Sequence, residues 1–418
     1  MDFENEFELE SLDIIEIPKG LFILTWNVGF GGSITGCVVE SNDFIYFTSC
    51  DYHVYALNLE GKEIWRFKTG GVIFHSGPSL FGKKIYTGSQ DGCVYALDLN
   101  GNLLWKFRTG DKIFCSTPFE KNGVVYVGSK DGNLYAIDAE EGKEIWRFRT
   151  GAPIGSTPTI HNEKIYFGCY DGNLYCLKMD CKEIWRFRTR GSIVNTLPFL
   201  INNNIIYFGS QDQNLYAVDV ETGKEIWRFK TKNGVNTVPA LHNGILYFGS
   251  NDTNFYALNL EGKEIWRFKT GGRVAGAKPT VYKNRVYFGS GMPEGTLYCL
   301  DLEGKEIWRF EAGEGIYTNA VIHKNRIYFG SYNCHFYCID LEGKEIWRFP
   351  TSTTTPAPVE RIEEVPFEIK IPLSESSEEK KLYETKTSMA EGPFHMIYSG
   401  GFVYKHESVY QLGKRKYR

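Results

Sequence analysis

The side chains of this 418-residue chain that could do chemistry fall into three sets. The first is a series of aspartates, Asp51, Asp91, Asp131, Asp171, Asp212 and Asp252, each in a Ser-x-Asp-Gly-Asn-like turn. Six carboxylates would suit calcium. They stand in separate repeats, however, and Asp beside Gly or Asn is what a tight hairpin itself requires, so turn chemistry is the expected role. The second set is ten cysteines, at positions 37, 50, 93, 115, 169, 176, 181, 299, 334 and 338. Cys334 with Cys338 and Cys176 with Cys181 have ligand-like gaps, but neither pair has a second pair or a histidine at zinc-site spacing. Cys176, Cys299 and Cys338 replace the Ala of a recurring Tyr-Ala-Leu, a small slot that a buried thiol fills. The third set lies just ahead of each repeat's first strand: His75, Arg190, Asn195, Asn236, Arg273, Lys278 and Tyr317, among serines and threonines. These positions differ from repeat to repeat. Their positive members, Arg190, Arg273 and Lys278, suit an anionic ligand.

What must position these residues is a repeat. Lys-Glu-Ile-Trp-Arg-Phe or a near variant recurs eight times, with Trp65, Trp105, Trp146, Trp185, Trp227, Trp266, Trp308 and Trp347 spaced by 39 to 42 residues. A period of that size filled with short alternating segments is an array of one supersecondary unit. In residues 189 to 231 the pattern gives four strands separated by Asn202-Asn203-Asn204, Gln211-Asp212-Gln213 and Glu221-Thr222-Gly223. In Glu225-Ile226-Trp227-Arg228-Phe229, Trp and Phe share one side of a strand. The flanking charges would blunt that edge against pairing with another molecule, and solubility is their expected role. One four-stranded sheet cannot bury both faces, so the units must stack around an axis until the ring closes. The fold class expected is all-β, an eight-bladed propeller of four-stranded antiparallel blades.

Ala217-x-Asp219-x-x-Thr222-Gly223-x-x-x-Trp227 resembles the tryptophan-docking motif of the pyrroloquinoline-quinone-like propeller repeats, found in quinoprotein dehydrogenases and BamB-type assembly scaffolds. Ala136, Asp138, Gly142 and Trp146 keep its spacing with Glu141 in place of Thr, while Ala56, Asn58, Gly61 and Trp65 sit around a turn shorter by one. The resemblance covers about three quarters of the chain. It implies that each of the eight Trp residues docks on the backbone of the next blade. For the dehydrogenases it also implies a catalytic Asp, a calcium site and an adjacent Cys-Cys disulfide against the quinone. No two cysteines here are adjacent, and the axial loops carry no acid except Asp111 and Glu314. A non-catalytic propeller that binds a protein or a small anionic ligand, with no cofactor, is therefore expected; the alternative is a quinone-dependent oxidoreductase with calcium.

Domain organisation follows from the repeat. Residues 31–350 form the propeller, 1–30 hold a degenerate outer strand pair with Trp26, 351–393 are a Pro/Ser/Thr/Glu-rich linker or excursion, and 394–418 hold C-terminal strands and a basic tail. The two termini could instead combine into a ninth composite blade. Aromatic residues at 15% and 44 glycines suit short strands and tight turns. The net charge of -4, with Lys and Arg interleaved with Glu, offers no nucleic-acid face. The acidic start lacks signal-peptide features, and the longest early apolar run, Leu21 to Trp26, is too short to span a bilayer. A cytoplasmic monomer without membrane insertion is expected.

Overall fold

A computed structural model describes residues 31–41, 43–194, 197–276 and 278–351, together with the backbone of two strands, His395–Tyr398 and Phe402–Lys405. The expectations for Trp26, for the rest of residues 1–30, for 352–394 and 406–418, and for Asn195 lie outside the described residues. The chain divides into two compact units, residues 29–357 and a second made of 1–28 with 358–418. In the second, the two described strands pair antiparallel.

The first unit contains eight four-stranded antiparallel sheets, each built from contiguous sequence with its strands in chain order. The blades run Val39–Lys68, Ser79–Arg108, Phe119–Arg149, Thr159–Arg188, Leu200–Lys230, Ala240–Lys269, Thr280–Glu311 and Val321–Pro350, and are called blades 1 to 8. This is the eight-bladed, all-β propeller. No helix among the described residues is long and apolar enough to cross a membrane.

Burial follows the strand order. The second and third strands, such as Ile205–Gly209 and Asn214–Asp219, are buried on both faces. Each is covered by a neighbouring blade, so both read as continuous apolar runs. The outermost strand alternates half-buried and exposed residues along Glu225–Lys230. Trp227 and Phe229 face the core while Ile226, Arg228 and Lys230 face water.

A bulge interrupts the pairing of third and fourth strands at the same place in every blade, between Ala217 and Val218 in blade 5. There Ala217 pairs with Trp227, and Cys176, Cys299 and Cys338 pair with Trp185, Trp308 and Trp347. All ten cysteines are thiols rather than disulfides, and all but Cys181 are buried.

Two glycine positions set the spacing between blades. Gly88 ends the second strand of blade 2, where a side chain would collide with Ile113 of the loop entering blade 3. Gly101, at φ +82°, lies under the ring of Trp65, whose nearest atom would be 2.6 Å from an added Cβ.

Candidate functional site: the axial end of the propeller

Two kinds of segment meet at one end of the ring, the loops entering each innermost strand and the turns between second and third strands. They are tied directly by backbone bonds such as Cys50 N–H to Ser33 O, 2.9 Å, and Tyr332 N–H to Gly315 O, 2.9 Å. All of the described axial candidates lie in or beside these segments.

The aspartates serve their own hairpins. In each of the six turns one carboxylate oxygen accepts the N–H two residues on, as from Asn133 to Asp131 at 2.8 Å. The other accepts a tyrosine hydroxyl four residues on, at 2.5–2.7 Å, in the pairs Tyr55–Asp51, Tyr95–Asp91, Tyr135–Asp131, Tyr175–Asp171, Tyr216–Asp212 and Tyr256–Asp252. Burial, the first cause, together with the carboxylate pushes these phenols above the ordinary tyrosine range. They stay protonated donors. Blade 7 inserts Met292-Pro293 and uses Glu294 instead, which accepts from Tyr298 at 2.5 Å and from the N–H groups of Gly271 and Gly272 at 3.0 and 3.1 Å.

The axial hydroxyls are also engaged. Ser76, Ser116, Ser156, Thr237 and Thr318 accept the N–H of Gly88, Gly128, Gly168, Gly249 and Gly330 at 2.7–3.2 Å. Each is fully buried or nearly so. They satisfy a backbone donor that would otherwise be orphaned at the strand end.

His75 sits in a left-handed conformation, φ 52°, and is 2% exposed. Its Nδ1 lies 3.1 Å from the Thr35 carbonyl and can only donate there, so Nε2 accepts from the Tyr332 hydroxyl at 3.4 Å. Burial lowers its pKa to about 4 against the opposing Thr35 bond, which keeps the ring neutral. Tyr317 stands 6.1 Å from His75 and 4.7 Å from Tyr332 by ring centroids, and its hydroxyl accepts the Met292 N–H at 3.1 Å. Phe74 stacks on Phe114 at 5.4 Å, and Lys130 places its ammonium 4.3 Å from the Phe114 centroid.

The remaining candidates divide. Asn236 is buried and accepts from the Gln211 amide. The Arg273 carbonyl accepts the Gly291 N–H at 2.6 Å, and Lys278 is partly buried. Desolvation holds both Lys130 and Lys278 below the ordinary lysine range. Arg190 is exposed in the turn after its blade's outer strand, its N–H 3.0 Å from Asp212. The structure thus brings His75 and Tyr317 together and leaves Arg190 at the surface.

Sequence reasoning missed Lys130, Gln211 and Tyr332. Lys130 and Gln211 occupy the x of Ser-x-Asp and Tyr332 the matching place in Ser331-Tyr332-Asn333, with Cys50, Gln90, Tyr170, Asn251 and Gly291 at the same place in the other blades. That position varies inside a turn whose aspartate six blades share, a signal the sequence carries openly.

The turn carboxylates are bound to tyrosines, and among the described residues no three His, Cys, Asp or Glu side chains are placed to hold a metal.

The eight indoles complete the geometry. Each Nε1 donates to a carbonyl of the following blade at 2.8–3.1 Å: Trp65 to Leu99, Trp105 to Ala139, Trp146 to Met179, Trp185 to Val220, Trp227 to Leu260, Trp266 to Leu302 and Trp308 to Leu341. Trp347 of blade 8 donates to Leu59 of blade 1 at 3.0 Å, which closes the ring.

Among known proteins, the family described as beta-alanine-activating enzyme, beta-propeller, matches residues 117–370. No curated protein matches the sequence. Among solved structures, the computationally designed Ika8 protein superposes with a TM-score of 0.65 at 15% identity, over 75% of this chain and 98% of its own. BamB from Moraxella catarrhalis superposes with a TM-score of 0.59 at 20% identity, over 71% of this chain and 90% of its own. At those identities the likeness is one of fold. The match over more than half of the sequence places the chain in the family of the beta-alanine-activating enzyme propeller, a pyrroloquinoline-quinone-like repeat propeller.

Proposed function

We propose that this propeller is a non-catalytic interaction module, a scaffold that presents its surface to a partner protein. One observation carries the reading: the axial side chains with catalytic potential are engaged by the scaffold. The aspartates hold tyrosines, the serines and threonines hold strand ends, and His75 is buried and neutral. Ten thiols without a disulfide support a reducing, cytoplasmic setting, and a monomer suffices to close the ring.

The test has two arms. Purified protein supplied with pyrroloquinoline quinone and calcium should leave an acceptor dye unreduced with alcohols and sugars; sustained turnover overturns the proposal in favour of the oxidoreductase. Affinity capture from the native cell should retain a partner through mild washing, and an empty bait counts against the scaffold.

A second reading, a small anion held near the axis, is supported by Lys130 and Lys278. Both are desolvated cations with no ion pair among the described residues. Titration with inorganic phosphate and with a small dicarboxylate should then raise the unfolding temperature, and Lys278→Gln should abolish the rise.

A further inference from the structure

Every blade ends in an outer strand whose far edge pairs with no other strand of its sheet. Such an edge invites an added strand unless charge discourages it. In seven blades the strand opens with Glu and carries Arg three residues on, and the two are joined at 2.6–2.9 Å. Blade 2 departs from that pattern. Its outer strand, Leu103–Arg108, reads Leu-Leu-Trp-Lys-Phe-Arg. Leu103 replaces the Glu and is 45% exposed, beside Leu104 at 47%. Lys106 replaces the Arg and has no hydrogen bond or ion pair among the described residues. The turn leading into this strand contributes Leu99 and Asn100 to a groove of about 400 Å³, completed by Phe44, Tyr46, Ile64 and Trp65 of blade 1.

We propose that the outer edge of blade 2 is a docking strip for an extended acidic segment of a partner protein. The segment adds as a fifth strand, sets a carboxylate against Lys106 and places an apolar side chain in the adjoining groove. The backbone edge selects an extended peptide, and the unpaired ammonium selects its charge. A second copy of this chain is a poor occupant, because the opening glutamates of its outer strands are already paired with arginines and the exposed charges of those strands are mainly Arg and Lys. The proposal rests on the interaction reading and names its surface.

The test uses the full chain and a fluorescein-labelled synthetic octapeptide of alternating Glu and Val, followed by anisotropy. Saturable binding of one peptide per chain is expected, weakening as salt rises. Leu103→Glu restores the residue found in seven other blades, so thermal unfolding should stay unchanged while affinity falls about tenfold. Lys106→Glu should do the same. Ile226→Glu, on the equivalent strand of blade 5, should change affinity less than about twofold. Methylating alternate peptide nitrogens should abolish binding if the backbone edge is used.

Absence of saturable binding, more than one peptide per chain, unaltered affinity in Leu103→Glu, or an equal loss in Ile226→Glu would each overturn the assignment. So would a concentration-dependent dimer lost in Leu103→Glu, which would make a second copy the occupant. A native partner captured equally by wild type and Leu103→Glu would sink the blade 2 strip and leave the interaction reading standing.

Discussion

The outer girdle and the axial end of this propeller obey opposite rules. Around the girdle, eight indoles make the same bond to eight equivalent carbonyls, including the one that joins blade 8 to blade 1. At the axial end, equivalent positions hold His75, Asn236 and Tyr317, and the turn residue changes from Lys130 to Gln211 to Tyr332. The difference has a mechanical origin. Eight blades close a ring only if the angles between them add up to a full turn, and one repeated interface meets that condition, so residues that set the interface are held alike. The innermost strands are three residues long and end in loops, which tolerate differences without changing that angle.

The comparison can be broken most sharply at the girdle. Trp227→Ala should cost about 3 kcal/mol in denaturant unfolding, the low end for a large aromatic because the indole is only partly buried. Trp347→Ala should cost the same. A much smaller loss for Trp347 would show that the closing interface is not equivalent to the others.

At the axial end the largest effect should be one of pH. His75 is held at about 4 when folded and lies near its ordinary value when unfolded. Between those values the unfolded chain binds the extra proton, so stability should fall as pH drops from about 6.5 to 4, by up to roughly 3 kcal/mol. His75→Asn, which tolerates the left-handed backbone, should flatten that part of the profile. An unchanged slope would mean that the ring titrates normally and that the axial end is wetter than its geometry indicates.

Smaller effects separate scaffold from loop within the same end. Ser156→Ala should cost about 1–2 kcal/mol, because the buried Gly168 N–H loses its acceptor at 2.7 Å. The girdle has one flaw. Where seven blades put a glycine against the docked indole, blade 4 has Cys181 at φ 74°. Cys181→Gly should stabilise by about 0.5 kcal/mol, the relief of left-handed strain offset by greater freedom of the unfolded chain. Destabilisation would show that the thiol contributes packing against Trp146.

Much of this was legible in the residues. The Trp spacing carried blade number, and Asp212 before a tight turn carried its hairpin role, because both depend on local periodicity and backbone geometry. Arg190 was less tractable. It lies three residues before the fully buried core Ile193, yet it is itself exposed in the turn. Lys130 was readable by its variability, but its burial against the Phe114 ring depends on a loop sixteen residues away that only the folded ring brings beside it.

By itself the sequence determined the repeat, the four strands per blade and the face each strand buries, since these follow from a period of 39 to 42 residues and from alternation within it. Only the tertiary structure decided which polar groups remain available. Whether Asp131 meets a metal or Tyr135, whether Ser156 meets a substrate or Gly168, and whether Lys106 faces a carboxylate or water depend on contacts between strands and blades. A hydrogen bond is satisfied by position in space, and closing the ring is what sets those positions.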